Sequence, residues 1–258
     1  MKKNTPNILK LSRLAILLLC SILLVRCTVL LPNAYSKARE KTQKILAHNG
    51  FKGKVQVKNI KKVILDSAGI YVDYTYSEET YDNQTISLDS KITFNLDWTV
   101  NGEEYVTPSH YWESYLQQKS VKKEEQKLFK ELKKQSLGLD IEDFSFRDHT
   151  TIDQEAGNRK KHLAEENRKN GKHDFYGYYQ IPYQTMIEEH LVTMEIKVHD
   201  SKNISKKDLK EAATKLDASK LPDVEYEFYF FTTDEDNYNH ISYTFNIQDG
   251  KVVQDEDD

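Results

Sequence analysis

Apolar positions in this chain form one block at the N-terminus and then a series of alternating and helical patterns. After a basic, polar start over residues 1–13, an apolar run extends from Leu14 to Val25, Arg26 interrupts it, and Cys27 to Leu31 follows. Basic charge ahead of an apolar run is the layout of a signal peptide or signal anchor. The stretch to Leu31 is long enough to cross a bilayer if Arg26 reaches a head group. Lys2, Lys3, Lys10 and Arg13 favour an inside N-terminus, which sends the rest of the chain outside.

The body begins with a helix expected over about Tyr35 to His48, stopped by Asn49-Gly50. Alternation then predicts strands. Val55 and Val57 start one, and Ile70, Val72, Tyr74 and Tyr76 share a face of the next. Ile86, Leu88, Ile92, Phe94, Leu96, Trp98 and Val100 read as a single long strand of one parity. Asn101-Gly102 reads as a hairpin turn into Glu103–Val106. A helical middle follows Thr107-Pro108, with Tyr111, Trp112, Tyr115 and Leu116 as one stripe. Val121, Leu128, Phe129 and Leu132 continue it out of phase, which places a break near Ser120. Thr151 and Gln154 suit a capping box for a solvated helix to about Lys169.

Towards the C-terminus, Val192, Met194, Ile196 and Val198 alternate with polar residues. Ser205 and Asp208 form a capping box ahead of Leu209, Ala212, Ala213 and Leu216. Val224, Tyr226, Phe228 and Phe230 predict a strand, Ile241, Tyr243, Phe245 and Ile247 another, and Asp249-Gly250 a turn into Val252-Val253. The two ends look alike, and Thr93-Phe94-Asn95-Leu96 parallels Thr244-Phe245-Asn246-Ile247. The expected class is α+β: a leader over 1–33, a helix-plus-antiparallel-meander unit over 34–107, a helical middle over 108–172, and a second such unit over 173–258. A duplication would relate the two units.

Charge sharpens this picture. The chain of 258 residues carries 37 basic and 41 acidic side chains. Setting aside the five bases of residues 1–31 (Lys2, Lys3, Lys10, Arg13, Arg26) leaves 32 against 41, so the body is near −9. That disfavours nucleic acid and anionic lipid as partners of the body. Both cysteines, Cys20 and Cys27, lie in the leader, so the body has no thiol nucleophile, disulfide or cysteine metal site.

Three fates of the leader stay open. Leu24-Val25-Arg26-Cys27 has a lipobox outline with Cys27 as the lipidation candidate. Ala34-Tyr35-Ser36 has the small-x-small spacing for ordinary cleavage after Ser36. An uncut leader would be a permanent anchor. With its Lys- and Tyr-rich body, the chain resembles small uncharacterised lipoproteins and exported proteins of low-GC Gram-positive bacteria. It departs from them at Arg26, where that pattern has a small residue, and the resemblance carries no functional motif.

Chemistry is sparse. No histidine pair has a tight metal spacing, and His162 with Glu166 at i, i+4 reads as a solvated helix face. Asp234-Glu235-Asp236-Asn237-Tyr238-Asn239 resembles a calcium loop but puts Tyr238 at a ligand place, so a plain turn is the simpler reading. No nucleophile elbow and no phosphate loop occur. Phe175, Tyr176, Tyr178, Tyr179 and Tyr183 crowd one short segment. They are expected either to cover the core edge of a strand or, if exposed, to form the one candidate partner surface. No cofactor, metal or catalytic residue is expected. The leading expectation is a non-enzymatic, membrane-tethered extracytoplasmic protein that binds a protein or an envelope component. The rivals are an envelope hydrolase without a recognisable motif and an immunity or inhibitor protein.

Overall fold

The computed structural model describes residues 33–64, 67–150, 154–170, 177–199, 204–234 and 237–253. The expected leader with Cys27, and Phe175 and Tyr176, lie outside them. Helices and sheets are both abundant, and the class is α+β. Two compact units form. One runs to Glu78 and resumes over Ser87–Ser109; the other comprises Glu79–Ile86 and His110–Asp258.

In the first unit, helix α1 (Ala34–His48) precedes a three-stranded sheet ordered β1 (Lys54–Val63), β2 (Gly69–Glu79), β3 (Thr85–Phe94). Ala38, Thr42, Ile45 and Leu46 are buried on one face of α1, and Ile70, Val72, Tyr74 and Tyr76 on one face of β2. Gln43 ties helix to sheet, its side-chain oxygen accepting from the Val55 amide at 3.0 Å. A Cβ on Gly53 would lie 2.3 Å from the Ser77 carbonyl oxygen, so only glycine lets this backbone approach β2.

The long strand expected to Val100 stops at Phe94. The Asn95 amide donates to Thr99 O at 2.8 Å, and the Asp97 carboxylate accepts from the Thr99 amide at 3.0 Å. Trp98 adopts φ 71°, and the turn brings its ring back to 5.4 Å from Phe94. Trp98 is therefore buried by a turn and not by strand alternation. Asn101-Gly102 leads into a 3-10 turn, Glu103–Tyr105, in place of the expected strand.

The second unit holds a five-stranded sheet, β4 (Ile141–Asp148), β5 (Val192–Val198), β6 (Glu225–Asp234), β7 (Asn237–Gln248) and β8 (Lys251–Val253), in that order. All neighbours are antiparallel except β5 and β6, which run parallel. The parallel pair needs a crossover, and α6 (Lys206–Thr214) lies within it. Its expected capping box is present: the Asp208 amide donates to Ser205 Oγ, and the Ser205 amide to Asp208 at 2.7 Å.

The expected separate helical middle is instead part of this unit. Helices α2 (Tyr111–Leu116) and α3 (Lys119–Lys133) break at Gln117-Gln118, β4 supplies an edge strand, and α4 (Gln154–Lys169) and α5 (Tyr183–Glu188) follow. Strand β4 escapes the sequence pattern because its register shifts between Ile141 and Asp143, and because its last inward position is a carboxylate, Asp148. The Thr151 end of the expected capping box lies outside the described residues.

Both units contain a helix followed by three antiparallel strands: α1 with β1–β3, and α6 with β6–β8. The matching tetrapeptides do not fall at equivalent places. Thr93–Leu96 leaves the third strand of its run, whereas Thr244–Ile247 lies inside the second.

Candidate functional site

The tyrosine segment is a core element. Tyr178, Tyr179 and Tyr183 are all buried, so these three form no exposed partner surface. Tyr178 and Tyr179 lie in a 3-10 turn, and Tyr183 opens α5. Around them α2 packs its aromatic stripe: Trp112 stacks on Tyr115 at 5.4 Å, and Tyr111 meets the Tyr178 ring edge-on at 5.1 Å. Their polar ends explain the clustering. Tyr115 donates to Ile181 O at 2.9 Å, Tyr179 to Tyr111 O at 2.9 Å, and Trp112 Nε1 to the β4 carbonyl of Phe146 at 2.8 Å. Asp148, a buried carboxylate, accepts from Tyr111 at 2.9 Å, Tyr178 at 2.7 Å and Thr150 Oγ1 at 2.8 Å. Burial first, and then the Asp148 charge, push the Tyr178 hydroxyl well above its usual range. This group of rings is a polar-pinned core, with Tyr111 and Trp112 half-buried at its margin.

The other face of the same sheet carries charge. Inward residues Phe144, Phe146, Met194, Ile196, Tyr226, Phe228 and Phe245 are buried. Helix α5 lies on that side, with the Tyr183 ring 4.5 Å from Phe146. The alternate residues line up in rows through the strand register. Arg147 pairs with Thr193 and Thr193 with Glu225. Ser145 pairs with Glu195 and Glu195 with Glu227. Asp143 pairs with Lys197 and Lys197 with Tyr229. Arg147 Nη1 bridges Glu195 and Glu227, each at 3.0 Å. Burial raises the Glu195 carboxyl above its usual range, with Arg147 opposing. Lys197 pairs with Glu142 at 2.9 Å. At one end His149 Nε2 approaches Glu225 at 3.2 Å and also contacts Thr193 Oγ1. The His149 hydrogen bond leads in holding the Glu225 carboxyl below its usual range. At the other end Tyr229, Phe231 and His240 form a ring cluster with centroids 5.2–5.7 Å apart.

The Thr193, His149 and Glu225 set contains the residue types of a nucleophile, base and acid, but not their geometry. A relay needs the acid on one imidazole nitrogen and the nucleophile on the other. Here both meet Nε2, and Thr193 is fully buried. The cluster is a polar staple between β4, β5 and β6.

Elsewhere, His162 and Glu166 stand 3.7 Å apart on an exposed face of α4, beside a shallow depression of about 530 Å³ that Arg159 and Glu189 also line. Among the described residues, no three His, Cys, Asp or Glu side chains are grouped to hold a metal ion. Of the expected acidic turn Asp234–Asn239, Asp234 ends β6 and Asn237, Tyr238 and Asn239 open β7, paired across the two strands, while Glu235 and Asp236 lie outside the described residues. Ser36 sits in the first turn of α1, just after buried Ala34, so cleavage there would remove the start of that helix. No described helix is long and apolar enough to cross a membrane. No protein-family model, curated protein or solved structure matches the chain. The charged face of the five-stranded sheet was missed from sequence because its rows join residues far apart in the chain.

Proposed function

We propose that this chain is a non-enzymatic, membrane-tethered extracytoplasmic protein whose acidic body binds another protein or an envelope component. The observation that carries this reading is the basic, then apolar N-terminus ahead of a body near −9. The resemblance to small exported lipoproteins of low-GC Gram-positive bacteria points the same way. The interior of the second unit supports a binding role over a catalytic one. Its buried carboxylate, Asp148, is saturated by hydroxyl and amide donors, and its His–Thr–Glu set lacks relay geometry. The charged sheet face also favours the immunity or inhibitor reading, as an acidic surface suits masking of a basic protein.

The tether is tested by the intact mass of protein extracted from the membrane fraction of a Gram-positive host, with and without a lipoprotein signal peptidase inhibitor. A lipid-bearing chain that starts at Cys27 and responds to inhibitor gives a lipoprotein. A full-length, insensitive mass gives an anchor. A released chain starting at Lys37 would overturn the tether. Photo-crosslinking in intact cells tests the binding role, with one discrete adduct as the expected outcome.

A further inference from the structure

We infer that the charged face of the five-stranded sheet, at its Asp143, Tyr229 and Phe231 end, docks a lysine- or arginine-rich segment of a partner protein. This rests on the binding role proposed above and names the chemistry of the partner.

Charge balance is the first support. Among the described residues of these strands, Glu142, Asp143, Glu195, Glu225 and Glu227 face Arg147 and Lys197 as fixed cations. Both cations are already engaged, Arg147 by two glutamates and Lys197 by Glu142. The face therefore keeps a negative surplus that an incoming cation would neutralise.

The second support is independent of charge. Phe231 is 39% exposed although it lies in a sheet strand, and it meets Tyr229 edge-on at 5.6 Å. His240, also exposed, tilts against both rings. Tyr229 shares a row with Lys197 and Asp143, next to the row of Glu195 and Glu227, and burial and then the charges of Glu195, Asp143, Glu227 and Glu142 raise its hydroxyl. Aromatic faces beside carboxylates attract Lys and Arg through cation–π contact and charge together. The same acidity repels a second copy of this chain, a phosphate backbone and an anionic lipid surface.

The test uses the full chain in neutral detergent with fluorescein-labelled hexa-arginine, hexa-lysine and hexa-glutamate, read by anisotropy. Hexa-arginine or hexa-lysine is expected to bind and hexa-glutamate not to, with affinity falling as salt rises. Phe231→Ala is expected to weaken binding about fivefold, the scale of one exposed cation–π contact. Asp143→Asn should weaken it as well, whereas Glu211→Gln, on exposed α6, should change it less than about twofold. Equal effects of all three variants would reduce the binding to net charge and overturn the assignment. Self-association that Phe231→Ala abolishes would overturn it in favour of a second copy. If neither cationic peptide binds while crosslinkers placed elsewhere still capture one partner in cells, this face is wrong and the binding role stands. If crosslinkers at every surface position capture nothing, the binding role falls with it.

Discussion

Asp148 is the residue on which the aromatic core of the second unit turns. Its oxygens accept from the hydroxyls of Tyr111, Tyr178 and Thr150, of which Tyr178 is fully buried. Replacing it with alanine removes the acceptor shared by one buried and two half-buried hydroxyls and is expected to cost about 3 kcal/mol. Tyr178→Phe removes one hydrogen bond and should cost about 1 kcal/mol. Urea denaturation of both variants measures this, and a loss for Asp148→Ala no larger than for Tyr178→Phe would deny the carboxylate its organising role. Two glutamates on the opposite face respond to pH in opposite senses. Glu225 has a folded pKa below the usual 4.5, led by the His149 hydrogen bond. The folded state thus binds fewer protons there, and stability present above 4.5 is lost as pH falls through the lower folded value. Glu195 has a folded pKa above the usual 4.5, led by burial. It contributes stability below 4.5 that is lost as pH rises through the higher folded value. Glu225→Gln should therefore flatten the acid limb of a stability profile, and Glu195→Gln should raise the midpoint at neutral pH relative to pH 4. Parallel profiles for both variants and the parent would contradict these assignments.

At the scale of elements, end signals carry much of the stability that is not packing. Ser205→Ala removes a capping box that was visible from Ser205 and Asp208 alone, and is expected to cost about 1 kcal/mol by thermal or urea melting. Helix α3 is capped differently. Its own N-cap, Gln118, makes no side-chain capping bond; instead Asp82 accepts from the Ser120 amide at 2.9 Å and from Ser120 Oγ at 3.0 Å. Asp82→Ala should then cost about 1 kcal/mol although it lies outside the helix; no measurable change would refute capping from a distance. Legibility follows the same division. Elements whose signals are local were readable: α1, β2, β5, α6 and the Asp249-Gly250 turn, where alternation, caps and turn residues agree. Strand β4 was not, because a register shift and an inward carboxylate break its alternation. The turn at Asn95–Thr99 was not, because Trp98 keeps the parity of the strand before it. The tyrosine segment was legible as a core-edge candidate but not as a 3-10 turn and helix, since its partners Tyr111 and Asp148 are set by tertiary packing. The charged face was invisible for the same reason, its residues coming from β4, β5, β6 and β7.

For the whole molecule, the notable feature is where the tip between β2 and β3 belongs. Residues Glu79–Ile86 group with the second unit, not with the strands that carry them. The Tyr81 amide donates to Tyr179 O at 2.8 Å, and Asp82 reaches Ser120. A fragment of residues 110–258 lacks these contacts and should unfold at lower urea than the same residues in the full chain; equal midpoints would show the tip to be dispensable. The arrangement also sets an order of events in time. Gln180, the partner of the Glu79 carbonyl, lies 101 residues further along. At roughly 5–20 residues per second of synthesis, the tip waits on the order of ten seconds for its last neighbours. During that interval the turn keeps its own bonds, Thr80 N–H to Gln84 O at 2.7 Å and Asn83 N–H to Thr80 O at 3.0 Å, but lacks the Tyr179 carbonyl that accepts from the Tyr81 amide. A newly made chain therefore carries the segment near residue 80 without its Tyr179 and Gln180 partners until residue 180 has been added.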